Sequence, residues 1–322
     1  MRAVHAVRAG GPEVLELVEL ERPAPGPGQI LVRHEAIGLN YIDTYQRSGL
    51  YPTRYPAVLG QEGAGIVEAV GDGVTRFAAG DRVGYTGSLG AYAEFNVVAA
   101  GRAVALPESV SAEIAAASLL KGMTTEFLVR RCYPLRAGET ILVHAAAGGV
   151  GTILTQWAKA IGAVVIGTVG SKAKADLARD HGCDHVILYR EEDVAARVRE
   201  ITGGRGVPVA YDSVGKDTFE ATLASLARRG LFVSFGNASG PAPAVEPARL
   251  MRGGSLFLTR PTMYDYTATP EELDESSSQL FAMIAAGKLR IEIGQRFKLA
   301  DARAAHVALE SRSTIGATVL AP

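Results

Sequence analysis

The sequence predicts an α/β chain in which a doubly wound parallel sheet adjoins a small, mostly antiparallel β domain. Three observations carry this expectation: strand–helix alternation beyond Ser111, a glycine cluster at the first strand-to-helix turn of that stretch, and a turn-rich, β-type texture before it. At 322 residues the chain exceeds one ordinary core, so two domains are expected.

The opening run MRAVHAVRAGGPEVLELVEL reads as two short strands about a Gly-Gly-Pro turn rather than as a secretory signal with an apolar core. Short β-type runs follow at Gln29–Ile37, Gly65–Val70 and Asp81–Tyr85, separated by Pro-Gly and Gly-Asp-Gly punctuation, the pattern of a small barrel-like domain. From Ser111 an Ala-rich helix (SAEIAAASLL) leads into buried apolar strands at Thr140–Val143, Val164–Thr168, His185–Leu188, Val207–Asp212 and Leu231–Phe235. Amphipathic helices lie between them at Val150–Ile161, Ser171–His181, Val194–Thr202 and Thr218–Leu226. Alternation of this length gives a parallel, doubly wound sheet, with Ser255–Thr259 as its last strand. Helices at Pro270–Ala286 and Asp301–Ser311 and a strand at Ala317–Leu320 then return the chain to the first domain. The expected division is 1–121 plus 262–322 for one domain and 122–261 for the other.

Composition narrows the function classes. With 48% hydrophobic and 21% charged residues the chain is expected to be globular rather than disordered or fibrous, and a net charge of −1 offers no footprint for nucleic acid. Cys132 and Cys183 are the only cysteines, too few for a disulfide framework or a cysteine-rich zinc lobe. No apolar run reaches the ~20 residues a membrane helix needs, and a cytoplasmic enzyme is the expectation.

The central motif is Thr140-Ile-Leu-Val-His-Ala-Ala-Ala-Gly-Gly-Val-Gly151, a buried strand running into Gly148, Gly149, Val150 and Gly151 and at once into a helix. In a dinucleotide fingerprint one glycine permits the tight turn, another lets the backbone approach the pyrophosphate, and a third allows close helix–strand packing. Here the first fingerprint position is Ala146. At the end of the second strand, where NAD-specific sites carry an acidic residue, stands Gly167-Thr-Val-Gly170-Ser171, followed by Lys172 and Lys174. A carboxylate would repel a 2′-phosphate, whereas glycine, hydroxyl and lysine accept one, so the expected cofactor is NADPH. The bland alternative makes both lysines a solvated helix face.

The runs AIGLNYIDTYQRSGLYP, LGQEGAGIVEAVGDGV, AAGDRVGY, AAASLLKGMT, HAAAGGVG, GTVGS, ITGGRGV, YDSVG, RRGLFVSFGNASG and LESRSTIG resemble bacterial NADPH:quinone oxidoreductases, relatives of ζ-crystallin, over essentially the whole chain. The resemblance implies a GroES-like catalytic domain built from both chain ends, a Rossmann domain inserted between them, and a homodimer. The zinc alcohol dehydrogenases of the same superfamily hold catalytic zinc with two cysteines and a histidine. At the matching places this chain has Asn40, Gln61 and Lys121, none a good zinc ligand, and the six histidines show no paired ligand spacing. No metal is expected.

The resemblance also suggests site residues. Asn40 would lie beside the nicotinamide and orient the ring or the acceptor; otherwise it closes a turn before a helix at Ile42–Ser48. Tyr45 and Tyr51 flank an Arg-Ser-Gly-Leu turn and offer a hydroxyl and an aromatic wall to a flat acceptor, though packing accounts for most tyrosines. Thr124 matches a position on the nicotinamide side, and Tyr189 one near the adenosine phosphate. Ser213, Phe235 and Gly236 follow strands four and five, where ligands meet the carboxyl ends of strands. Arg312 resembles an arginine reaching towards the cofactor, or else is a helix-capping cation. Lys121 could donate to an acceptor oxygen or be salt-bridged, and His144 reads as a core histidine.

The expected reaction is metal-independent hydride transfer from NADPH to a quinone or similar conjugated carbonyl, a small-molecule acceptor that delocalises the arriving charge. Two alternatives stand beside it: an alkenal or enoyl reductase on the same fold, and a ζ-crystallin-like RNA-binding role, against which the neutral charge argues.

Overall fold

In the computed structural model, which describes all 322 residues, β1 (Arg2–Ala6) and β2 (Leu15–Glu19) form an antiparallel pair. β3 (Gln29–Leu39), the longest strand, runs into α1 (Tyr41–Ser48), after which β4 (Ala57–Val58) pairs with β1. β5 (Glu62–Val70), β6 (Arg82–Thr86), β7 (Phe95–Ala99) and β8 (Ala103–Ala105) follow, and helix α2 (Ala112–Phe127) leads out of this region.

The strand–helix alternation then runs β9 (Thr140–Val143), α3 (Gly149–Ile161), β10 (Val164–Val169), α4 (Lys172–Asp180), β11 (His185–Leu188), α5 (Val194–Ile201) and β12 (Val207–Asp212). It continues through α6 (Phe219–Ser225), β13 (Leu226–Ser234), α7 (Pro247–Arg252), β14 (Phe257–Thr259) and the single turn α8 (Met263–Tyr266). Last come α9 (Pro270–Ala285), β15 (Ile293–Lys298), α10 (Ala302–Glu310) and β16 (Ala317–Ala321).

Two compact units result. The first comprises Met1–Met123, Thr267–Gly287 and Ile291–Pro322; the second comprises Thr124–Tyr266 with Lys288–Arg290. In the first, β3 is the spine: β5 lies antiparallel along one side, while β7 and then β16 share the other, within the order β15-β16-β3-β5-β6-β8. Ile30, Val32, Ile37 and Leu39 of β3 are buried with Val67, Val83, Val98 and Leu320, each side chain contributing about 1.5–3 kcal/mol on leaving water.

In the second unit six strands run parallel in the order β11-β10-β9-β12-β13-β14, the 3-2-1-4-5-6 order of a Rossmann sheet. Leu142, Ile166, Ile187, Ala210 and Phe232, one from each of five strands, are buried in a shared core. The β-rich unit, the parallel sheet and their chain order agree with the expected α/β architecture.

Some boundaries differ. β13 starts at Leu226 rather than Leu231, because Leu226 already pairs with Val207 and a register shift follows, with Arg229 at φ 61°. A strand irregularity of that kind breaks the alternation that sequence reading relies on. The strand at Ile293–Lys298 was not expected; its glycine, glutamine, arginine and lysine hide a half-buried edge strand. No helix is long and apolar enough to cross a membrane.

Candidate active site

In the second unit, the carboxyl ends of the parallel strands gather the residues expected to hold a dinucleotide. β9 ends at Val143, and Ala145 then takes φ 53°, an uncommon conformation for a residue with a Cβ. Gly148 is the N-cap of α3, and no side chain caps that helix. The first-turn N–H groups of Gly149, Val150 and Gly151 are therefore the ones a phosphate would find, with the helix dipole favouring the anion. Gly151 is needed for contact: a Cβ there would stand 2.2 Å from the Ala145 carbonyl oxygen and 2.8 Å from Ala146 Cα. The third glycine of the fingerprint thus sets the helix against the end of its strand.

The second strand, β10, ends at Val169, and Gly170 and Ser171 follow without a carboxylate. Ser171 is the N-cap of α4, and Lys174 is half-buried on that helix's first turn. Tyr189, the first residue after β11, brings its hydroxyl within 2.6 Å of the place a Cβ on Gly170 would occupy. The ends of β10 and β11 are therefore one neighbourhood of glycine, hydroxyl, lysine and phenol.

The loops after β12 and β13 are tied together. Asp212, fully buried, accepts the Val214 N–H at 2.7 Å, the Gly215 N–H at 3.1 Å and the Thr218 hydroxyl at 2.6 Å. The Phe235 N–H bonds to the Asp212 carbonyl at 2.8 Å, and Gly236 lies against the Ser213 backbone. His144 is a core histidine with both ring nitrogens engaged, by the Thr168 hydroxyl at 3.0 Å and the Thr222 hydroxyl at 2.9 Å. Thr124, at the start of this unit's chain, is buried in α2.

The remaining candidates belong to the first unit. Asn40 is the N-cap of α1, the place that the turn-closing reading gives it. Its backbone N–H is accepted by Asp43 Oδ2 at 2.9 Å, while its amide Nδ2 turns away from the helix to Glu62 Oε2 at 2.7 Å. Burial pushes the Asp43 carboxyl up to about 7, against the pull of hydrogen bonds from Asn40 and Tyr92. Glu62, the first residue of β5, is fully buried and also receives Lys121 Nζ at 3.2 Å and the Leu120 N–H at 2.7 Å. Lys121 is thus a salt-bridged lysine. Tyr45 and Tyr51 pack edge to face with ring centroids 5.3 Å apart, and the Tyr51 N–H bonds to the Tyr45 carbonyl at 3.0 Å. Arg312 follows the C-cap of α10 at φ 59°, its N–H on the Leu309 carbonyl at 3.1 Å.

Glu62 and Asp43 were not among the expected site residues. A signal for Glu62 existed: a carboxylate inside the small, apolar run LGQEGAGIV is expected to be buried and therefore to need partners.

A Rossmann sheet with an uncapped glycine-rich helix start, joined to a GroES-like unit, defines a nucleotide-dependent dehydrogenase or reductase. Two family models match: an alcohol dehydrogenase GroES-like domain over residues 26–108 and a zinc-binding dehydrogenase over residues 149–280. The chain is 56% identical to a quinone oxidoreductase of Pseudomonas aeruginosa, covering 97% of each chain. It superimposes on the crystal structure of Escherichia coli quinone oxidoreductase complexed with NADPH with a TM-score of 0.98, at 49% identity and covering 100% of both chains. It is also 42% identical to a 2-haloacrylate reductase of a Burkholderia species, over 98% of this chain and 97% of that one. The chain belongs to the quinone oxidoreductases of the medium-chain dehydrogenase/reductase superfamily.

The zinc in the name of the second family model does not fit these residues. The three places are held by two carboxamides and an ammonium, and the ammonium is itself the cation paired with Glu62. Nowhere do three histidine, cysteine, aspartate or glutamate side chains gather as a metal site would require.

Proposed function

We infer that this chain catalyses metal-independent reduction of quinones with NADPH. The observation that carries the cofactor assignment is the end of β10, where Gly170, Ser171 and Lys174 stand in place of a carboxylate beside the open start of α3. When bound, NADPH supplies a hydride, and the quinone gains that hydride and a proton to leave as hydroquinone.

The residues divide the work. Gly148, Gly149, Val150 and Gly151 hold the pyrophosphate through backbone N–H groups, and Ser171 and Lys174 bind the 2′-phosphate. Tyr189 lies along the adenosine side, Ser213, Phe235 and Gly236 line the path towards the nicotinamide, and Thr124 and Arg312 complete the cofactor contacts. Asn40 orients the nicotinamide or the acceptor, and Tyr45 and Tyr51 wall the acceptor. A quinone spreads the incoming charge over its own ring, so a positioned hydrogen-bond donor suffices where a saturated ketone would need a Lewis acid. Residues 1–121 with 262–322 act as the catalytic domain and 122–261 as the cofactor domain.

The 42% identity to a 2-haloacrylate reductase favours a second reading, hydride delivery to a conjugated alkene. Turnover on 1,4-benzoquinone, 9,10-phenanthrenequinone and trans-2-alkenals with NADPH in excess tests both. Quinones turned over well and alkenals poorly support the first reading; the reverse order would replace it with the second.

We further propose a cytoplasmic homodimer. Cys132 and Cys183 are free thiols, which suits a reducing compartment. β14 is the edge of the parallel sheet, Phe257 on it is 60% exposed and the nearby Met251 is 65% exposed. An open apolar edge invites aggregation, and pairing with its twin across a two-fold axis would cover it. Sedimentation at micromolar concentration tests this: a dimer is expected, and a monomer would rule the proposal out.

A further inference from the structure

From the convergence of Asn40 and Lys121 on one buried carboxylate, we propose that Glu62 is a positioning residue for hydride transfer, acting through Asn40. It rests on the reading of Asn40 as the residue that orients the nicotinamide or the acceptor. Glu62 Oε2 receives Asn40 Nδ2 at 2.7 Å and Lys121 Nζ at 3.2 Å, and its Oε1 receives the Leu120 N–H at 2.7 Å. A carboxylate only accepts, so it decides which end of the Asn40 amide is which: the nitrogen must face Glu62 and the oxygen must face away. With its second N–H directed at the Gly38 carbonyl at 3.5 Å, the Asn40 amide is held in one orientation.

The surroundings are built for this carboxylate. A Cβ on Gly38 would stand 2.3 Å from Glu62 Oε2 and 2.1 Å from the Ala116 carbonyl oxygen, so only glycine leaves it room. Asp43 fixes the other end of Asn40 by accepting its backbone N–H at 2.9 Å. Backbone and side chain of Asn40 are thus held by two different buried carboxyls. A carboxylate this deeply buried is costly without partners, and here its partners are residues at the places where zinc relatives carry metal ligands.

The test uses single-turnover hydride transfer from NADPH to 1,4-benzoquinone, with NADPH binding and thermal melting measured alongside. Glu62→Gln cannot accept on both atoms, so either Leu120 N–H or the Asn40 amide loses its partner, and Asn40 is free to turn over. Asn40→Asp faces Glu62 with a second carboxylate. Each is expected to slow hydride transfer about tenfold while NADPH affinity changes about twofold or less. The double variant Asn40→Asp/Glu62→Gln exchanges donor and acceptor across the same contact and is expected to recover several-fold over Asn40→Asp alone. Should Glu62→Gln not fold, Asn40→Asp against Asn40→Ala decides: the aspartate must be at least as slow as the alanine. A slow Asn40→Ala with Glu62→Gln at the wild-type rate overturns the role of Glu62 alone, as does a double variant in which the two losses simply multiply. A wild-type rate in Asn40→Ala removes the role assigned to Asn40, and the proposal with it.

Discussion

The Ser171 hydroxyl accepts the Lys174 backbone N–H at 3.4 Å, so the residue proposed to meet the 2′-phosphate also caps the helix that carries the lysine. The cap uses the lysine's backbone and not its side chain. Lys174→Ala therefore keeps the helix start and removes the ammonium together with its aliphatic stem. NADPH affinity should fall roughly ten- to a hundredfold with little change for NADH, the scale of one charge-assisted contact. Titration of both cofactors by fluorescence checks this; equal losses would remove Lys174 from phosphate recognition.

Gly151 tests the fingerprint itself. A methyl group there must push against backbone atoms of Ala145 and Ala146, which cannot swing away as a side chain would. Gly151→Ala should cost about 1–3 kcal/mol of stability and weaken both cofactors alike, since the pyrophosphate is common to them. Melting temperature and the two binding curves are the measurements. Discrimination between NADPH and NADH should not change.

The acceptor wall makes a different demand. Tyr→Phe at 45 or 51 keeps the aromatic surface and removes a hydroxyl. Because a quinone stabilises its own charge, the expected loss is on the order of fivefold in kcat, about 1 kcal/mol. Tyr→Ala should chiefly raise KM for quinone, leaving NADPH affinity nearly unchanged. If neither alanine variant alters quinone kinetics, the acceptor binds elsewhere.

Acid stability carries a sign that can be worked out. Burial holds His34 down to about 4, and burial together with the Arg47 charge holds His306 down to about 3. Both are neutral in the native fold, while the unfolded chain takes up protons below about 6.5. Stability from each is present above 6.5 and lost as pH falls towards 4, by at most about 3 kcal/mol apiece. Asp43, raised to about 7 by burial, works the other way, its contribution present below 3.8 and lost as pH rises through 7. Two histidines against one aspartate leave a net fall in melting temperature from pH 6.5 to 4.5. His34→Gln should flatten that slope, and an unchanged slope would show that His34 does not govern it.

What was legible in the sequence followed the physics of periodicity. The five apolar strands and the glycine-rich turn were visible because a parallel sheet buries both faces and the turn admits few residues. β15 was not visible, since an edge strand reading Ile-Gly-Gln-Arg-Phe-Lys buries too little to leave a pattern. The start of β13 was hidden by its register shift. Asn40, Gln61 and Lys121 could be found by matching positions, but sequence position says nothing about which buried carboxylate two of them share. Glu62 is held by Asn40 and by Lys121 of α2, and Asp43 by the Asn40 backbone, and the Glu62 contacts are set by tertiary packing.

Quinone-dependent oxidation of NADPH, compared with NADH, on protein exhaustively treated with a chelator tests the central claim most directly. The account expects one NADPH consumed per 1,4-benzoquinone reduced, a kcat/KM at least about tenfold higher with NADPH than with NADH, and no loss after chelation. Equal use of the two cofactors, or activity that vanishes on chelation and returns with zinc, would contradict it.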